Sequence, residues 1–455
     1  MKTTNLSFDK VAISVLLILL ALVGITIFIG ENRGVIARVN LTQENEAVSP
    51  YQKIQITFSE SVNTEMAFDL ITLNPVHEGY LEWADERTLY FVPLKPFALN
   101  TNYTLTISAG VITSNGDEIK KSKSWNFHVR EPMIAYMLTD ANQSGVWAID
   151  LNGNEPKRLT SEDIKVLSFD AAGNGDFVVF TTLNENGGVD LWKVNRDGSK
   201  QSLLLDCEFD RCTVPSISPD AKYVAYSRES AGPTPDIPYG SPRVWLLNLQ
   251  TGANNPVYAD QQVLGYNPSW SPDSKKLISF DGLADLINLY DLSTNQQFVF
   301  PSNTGGPVVW SPDSTKFMFT IIRQTQQGFR SQVRLADLTL NETTTLIGEN
   351  DDQDYGYYSL AWSSLEERAV MGFRLSESQP AQVLWMFNPA RLDGILVADE
   401  PEYTYNAPQW DPWGSTLVFQ QFRLKGVNAP EIGYWQDGFD APKFLTNGIL
   451  PKWLP

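Results

Sequence analysis

Trp270-Ser271-Pro272-Asp273-Ser274 and Trp310-Ser311-Pro312-Asp313-Ser314 are two copies of one five-residue pattern, a large apolar residue followed by a turn. Proline presets φ for the corner, Asp or Ser caps it through a side-chain oxygen, and a small residue tolerates the tight return. Close variants stand at Ile217-Ser218-Pro219-Asp220-Ala221 and Trp410-Asp411-Pro412-Trp413-Gly414, and degenerate ones at Phe169-Asp170-Ala171-Ala172-Gly173 and Trp362-Ser363-Ser364-Leu365-Glu366. Three more strand-like runs follow each turn. After Ile217 they are Lys222–Tyr226, Arg243–Leu249 and a run around Pro256-Val257-Tyr258. Four strands per repeat make a propeller blade. The anchors Phe169, Ile217, Trp270, Trp310, Trp362, Trp410 and Trp453 recur every 40–53 residues.

The ends of this array complement each other. It opens at Ile134–Leu138, Val146–Leu151 and Pro156–Thr160 with no first strand before them, and it finishes in Pro451-Lys452-Trp453-Leu454-Pro455, a first strand with nothing after it. Pairing the two would complete one blade and remove the exposed edges. The fold class expected is therefore all-β. Residues 132–455 are expected to form a seven-bladed propeller closed by the C-terminal strand, at about 46 residues per blade. Six blades is the alternative if one degenerate copy is an insertion. The WSPDS turns and the strands after them resemble the TolB-like propeller repeats, which also occur in dipeptidyl-peptidase-type enzymes. The resemblance implies a fold and little about activity. The peptidase chemistry does not carry over, because the chain has no G-x-S-x-G elbow and no histidine after His128.

Upstream, the runs Ile54–Phe58, Thr88–Val92, Tyr103–Ile107 and Trp125–Val129 alternate apolar and polar residues. That period belongs to half-buried antiparallel strands. A small β-sandwich over residues 35–131 is expected, with Trp83, Tyr103, Trp125 and Phe127 supplying the core. The stretches ITFSESVN, GYLEWADERTLYFVPLKPFALNTNYTLTISAGV and SWNFHVREP resemble the bacterial Ig-like domain of S-layer type, the SbsA-like family. Such domains act as spacers or adhesive modules, which the resemblance implies.

Val11–Gly30 reads VAISVLLILLALVGITIFIG, twenty residues without a charge. About 20 apolar residues span a bilayer core, and no small-x-small cleavage pattern follows. The expectation is a cytoplasmic leader over 1–10 and an uncleaved transmembrane signal anchor over 11–30. The protein would then be single-pass in the cell membrane, with its bulk extracytoplasmic.

The 455 residues carry 34 Lys+Arg against 53 Asp+Glu, a formal net charge of −19. Nucleic-acid binders need a positive field, so nucleic acid is excluded as a partner. Only His77 and His128 are present, both in the sandwich, which leaves the propeller without histidine for acid–base or metal chemistry. No cofactor is expected, and the function indicated is binding or scaffolding through the propeller loops, with a protein or carbohydrate partner. The alternatives are a propeller enzyme acting on polysaccharide through paired carboxylates and a structural protein of the cell envelope.

In a four-stranded blade the loops between second and third strands share a face with those joining successive blades. Arg228, Arg323, Arg374 and Arg423 begin the first class of loop in four blades. Tyr355, Tyr357, Tyr358, Tyr403 and Tyr405 lie in or beside the second. Together they are the candidate ligand or partner site, for an anionic or carbohydrate ligand or a carboxylate-rich protein. The competing reading is that the arginines pair with acidic loops beside them. Asp351, Asp352 and Asp354 have the spacing of Ca²⁺ ligands but lack the glycine and bidentate Glu of a full loop. Cys207 and Cys212 flank four residues, a ring that could close in an oxidising compartment and stabilise by about 2 kcal/mol.

Overall fold

In the computed structural model of the protein, residues 13–21, 23, 34–41, 46–140, 144–234, 236–326, 328–350, 354–365, 367–426 and 429–455 are described. They divide into two compact units, Met1–Arg130 and Glu131–Pro455.

In the first unit, two four-stranded sheets face each other. One runs in the order Ala37–Val39, Ile54–Phe58, Thr88–Pro93, Gly79–Trp83. The other runs Glu46–Val48, Lys123–Val129, Asn102–Ile107, Ile71–Asn74. The alternation read in the sequence is the burial pattern observed. Ile54, Ile56 and Phe58 point inward from one strand and Tyr103, Leu105 and Ile107 from another, with Gln55 and Thr57 half-buried between the first three. The aromatic core differs from expectation. Tyr103 and Phe127 are buried and stacked at 5.5 Å, but their third partner is Phe97, 5.1 Å from Tyr103. Trp83, the last residue of its strand, and Trp125, whose ring centroid lies 4.7 Å from Lys123 Nζ, are half-buried and only flank this cluster. The helix Thr64–Leu70 starts where Asn63 Oδ1 accepts the Glu65 and Met66 amides.

The second unit consists of antiparallel four-stranded meanders. Met133–Leu138, Gly145–Asp150 and Lys157–Arg158 form the first, and Ile449–Leu454 adds to it by pairing antiparallel with Met133–Leu138. Residues 166–256 form one eight-stranded sheet in which two meanders are joined by a single parallel bridge, Val189 to Arg211. Further meanders run from Tyr266 to Pro301, Val309 to Ile347, Tyr358 to Ala398 and Tyr403 to Asn447. Between neighbouring meanders lie apolar layers, such as Ile278, Phe280, Ile287 and Leu289 against Trp310, Phe317 and Phe319. Burial of such layers drives the packing.

Residues 13–21 are helical. No described helix is long and apolar enough to cross a membrane. The expected 1–10 leader and residues 11, 12, 22 and 24–30 of the expected anchor lie outside the described residues.

Candidate functional site

The WSPDS turns build one end of each meander, and their chemistry is visible atom by atom. Ser271 Oγ donates to Asp273 Oδ1 and accepts the Lys276 amide at 2.9 Å, while Asp273 Oδ1 also accepts the Lys275 amide at 3.0 Å. The same bonds recur from Ser311 to Asp313 and from Ser218 to Asp220. Two of these turns also reach the next one along the chain. The Asp220 amide donates to Ser274 Oγ and the Asp273 amide to Ser314 Oγ, both at 3.0 Å. The last residue of the pattern must be small for this reason as well: Ser274 and Ser314 both sit at φ +61°.

Burial opposes charge on Asp220, Asp273 and Asp313, but the serine hydroxyls and backbone amides outweigh it and hold all three pKa values below the usual carboxylate range. A depressed carboxylate stabilises the fold above its unfolded-state pKa, about 3.9, and loses that contribution as pH falls through the lower folded-state value. The triple variant Asp220→Asn, Asp273→Asn, Asp313→Asn is therefore expected to be less stable than the parent at pH 7, with the gap narrowing as pH approaches 3. Urea midpoints across this range check it, and a gap independent of pH would contradict it.

The first strands of the meanders line a cavity of about 890 Å³, to which Asp170, Ser216, Ser269, Trp310, Gln409 and Lys452 contribute. A feature missed in the sequence shapes its wall. Pro215, Pro268, Pro408 and Pro451 each stand two residues before an anchor, and the residue before each proline has positive φ: Val214 49°, Asn267 52°, Ala407 49° and Leu450 54°. The strand pairing shifts register at each of these points. A proline has no amide hydrogen and a bulge interrupts the ladder, so these edges are poor templates for another strand. The repeated Pro-x-anchor spacing is the sequence signal for it.

The anchors are structural. The Trp270 indole N–H donates to Ser216 O at 3.0 Å and that of Trp453 to Gln409 O at 3.2 Å, so each ties its strand to the one before. The two carboxylates lining the cavity are also committed. Asp170 lies 3.2 Å from Lys452 Nζ and accepts the Ile217 amide at 2.9 Å, and Asp411 accepts the Ser415 amide and hydroxyl, both at 2.8 Å.

At the opposite end, the candidate arginines lie where expected and are taken up by neighbours. Arg228 Nε donates to Asp210 at 2.7 Å, Arg374 Nη2 to Asp354 at 3.0 Å and Arg423 Nε to Glu431 at 2.9 Å. Arg323 reaches the Glu349 carbonyl at 3.5 Å. The tyrosines divide. Tyr358 is exposed and Tyr355 and Tyr403 are half-buried, with Arg423 5.3 Å above the Tyr403 ring. Tyr357 and Tyr405 are buried in the layers between meanders and present no face to a ligand. Tyr405 donates to Glu400 at 2.9 Å, and burial, reinforced by that carboxylate, pushes its phenol pKa up. Its place on an alternating strand, Tyr403–Trp410, turns it inward where Thr404 turns away.

Asp354 is a hub that its spacing alone did not reveal. It accepts the Ser331 hydroxyl at 2.6 Å and the Gly356 amide at 3.1 Å besides Arg374. Burial works against its charge, but these donors hold its pKa low. Asp351 and Asp352 lie outside the described residues, and no group of three His, Cys, Asp or Glu is placed to hold a metal among the described ones. Cys207 and Cys212 are joined in a disulfide, and Asp190 accepts both the Cys207 amide and Asn184 Nδ2 beside it. Neither histidine has a catalytic setting: His77 Nε2 lies 2.9 Å from Lys95 O with its ring on Phe97, and His128 Nδ1 lies 2.9 Å from Asn102 Oδ1.

Residues 33–129 match the family model described as bacterial Ig-like domain. This segment is a bacterial Ig-like domain. After the Ig-like domain comes a region matching TolB-like β-propeller structures. TolB from Acinetobacter baumannii is 17% identical over 72% of this chain and 83% of its own, with a TM-score of 0.42. The putative TolB from Agrobacterium tumefaciens is 17% identical over 55% of this chain and 86% of its own, with a TM-score of 0.39. Oligogalacturonate lyase from Vibrio parahaemolyticus is 13% identical over 70% and 85%, with a TM-score of 0.49. No curated protein sequence matches the chain.

Proposed function

We propose that this protein is a membrane-anchored, extracytoplasmic binding or scaffold protein whose chain runs from a hydrophobic anchor through the Ig-like domain to a closed seven-bladed propeller. The propeller recognises a protein partner with its loop face. The observation that carries this reading is the state of the loop end. Three of its four candidate arginines are neutralised by Asp210, Asp354 and Glu431, and its loops cross-brace one another, as where the Tyr239 hydroxyl reaches Gly187 O. A braced, charge-matched rim is a preorganised platform, and preorganisation lowers the entropic cost of binding. Carboxylate catalysis would need acids left available, whereas Asp170 and Asp411 are both engaged.

Closure at seven blades is supported by the strand order. Ile449–Leu454 fills the place of the first strand beside Met133–Leu138, and the eight-stranded sheet resolves into two four-stranded blades at its single parallel bridge. The anchor is supported by residues 13–21. Leu16, Leu17, Ile18 and Leu19 point to all sides of the helix, and each is more than half exposed. A helical stretch whose apolar side chains are exposed on every side suits lipid.

The test uses the full chain expressed in membranes. A photo-crosslinking residue in place of Tyr358 is expected to give one reproducible protein adduct, and the same residue at Leu340, at the opposite end of its meander, none. Carbonate-washed membranes are expected to retain the chain and to release a form lacking residues 11–30. Turnover of a glycan panel with no adduct at Tyr358 would overturn the binding reading.

A further inference from the structure

We infer that the loop face docks a partner whose contact surface is basic and studded with apolar side chains; this rests on the loop-face reading above and specifies its chemistry. Six of the hairpins joining second to third strands each carry one large apolar side chain in the open, at or beside the turn: Leu183, Ile237, Leu283, Phe329, Leu375 and Leu424. Leu283 is 82% exposed and Phe329 65%. Phe209, on the disulfide loop between two meanders, adds a further one at 59%. Single exposed leucines are ordinary on a protein surface. One in the same hairpin of six successive four-stranded units is a different matter, because a hairpin tip needs polar or turn-forming residues for its own sake. At Arg374-Leu375 and Arg423-Leu424 the apolar residue directly follows the arginine that is locked into the rim, so its backbone is held while its side chain is left outside.

The charge around these tips selects the partner. Arg228, Arg330, Arg374 and Arg423 are spent on Asp210, Glu377, Asp354 and Glu431. The Arg211 guanidinium sits over the Tyr239 ring, 3.8 Å from its centroid. Glu185, Glu208, Asp236, Asp285, Glu349 and Glu402 remain exposed on the same loops. Against these six carboxylates stand Arg323 and Lys425, also exposed, so the face is acidic on balance between apolar tips, in a chain of net charge −19. Lysine and arginine on the partner would complement it, and buried apolar contacts would supply most of the affinity. The anionic surface of a lipid bilayer would be repelled by the same carboxylates.

The probes are short synthetic peptides of alternating Lys and Leu, with Glu/Leu and Lys/Ser versions as controls, titrated against the detergent-solubilised full chain by fluorescence anisotropy. The Lys/Leu peptide is expected to bind and the controls not to. Binding should weaken roughly tenfold or more on replacing Leu283, Phe329, Leu375 and Leu424 by serine. It should also weaken between about 0.1 M and about 1 M salt, as the Debye length shrinks from about 10 Å to about 3 Å. Because these side chains are exposed, an unchanged urea midpoint is expected to accompany the loss. Serine at Leu340 and Leu392, exposed at the other end, should leave binding intact. Binding indifferent to the four serines, equal binding of the Glu/Leu peptide, or tip-dependent binding to phosphatidylcholine–phosphatidylglycerol vesicles would each overturn the inference. If the Tyr358 photo-adduct forms and survives the four serines, this inference falls while the loop-face reading stands. If no adduct forms at any rim position, that reading falls and this one with it.

Discussion

Removing residues 448–455 is expected to abolish the cooperative unfolding transition of residues 131–455. The deleted strand supplies the partner on one side of Met133–Leu138, whose Ile134, Ala135 and Tyr136 are buried. Without it, that strand becomes a flat apolar edge, a template for pairing with other chains. Trp453 and Leu454, both buried, also leave their layers open: Trp453 packs with Tyr136, Val418 and Ile432, and Leu454 with Val146, Val178 and Phe180. The point variant Leu454→Ala removes part of this and should cost about 2–5 kcal/mol, the range for a buried leucine that leaves a cavity. Urea titration followed by tryptophan fluorescence checks both, and adding the 448–455 peptide in trans is expected to restore part of the transition. A truncated chain with the parent midpoint would show that the pairing contributes nothing to stability.

The second large effect is expected from Phe317→Ala, at about 3–5 kcal/mol. Phe317 is fully buried. Its ring is edge-on to Phe300 at 4.9 Å and tilted against Trp310 at 5.3 Å and Phe319 at 5.7 Å. Phe300 lies on the outer strand of the preceding meander, Gln296–Pro301, so the variant loses packing between meanders and not only within one. The urea midpoint should fall with little change in the slope, because the surface exposed on unfolding is nearly the same. Phe329→Ala, twelve residues along the same hairpin but exposed, should change stability by no more than about 0.5 kcal/mol. The two together separate a phenylalanine that holds blades together from one offered to solvent, and similar losses at both positions would refute the distinction.

Much of this fold was legible because its repeats are local. Ser271 and Asp273 are two residues apart, and the hydrogen bonds they make to the backbone of Lys275 and Lys276 follow from turn chemistry that any WSPDS stretch carries. The candidate site was legible only in outline. The four arginines were found by their place in the repeat, but whether they face a ligand or a carboxylate depends on Asp210, Asp354 and Glu431, which come from other strands and loops. Tyr357 and Tyr405 were read as loop residues; Tyr405 lies inside the strand Tyr403–Trp410 and Tyr357 directly before the strand Tyr358–Trp362, and both are buried in the layers between meanders. Trp83 and Trp125 have the composition of a core, yet Phe97, in a loop, took the central place beside Tyr103.

What the sequence determined by itself is the strand count per repeat, the turn at the end of each first strand and the Ig-like segment, since period-two alternation and proline–aspartate turns act over a few residues. Tertiary structure alone decided which charges cancel across the rim and which apolar residues remain outside, and it brought the C-terminal strand to the place beside Met133–Leu138 that the repeat pattern assigns to it. Those outcomes depend on groups brought together from 8 to more than 300 residues apart. Their energies come from burial and from ion pairing in a partly desolvated rim, and neither quantity exists until the chain has folded.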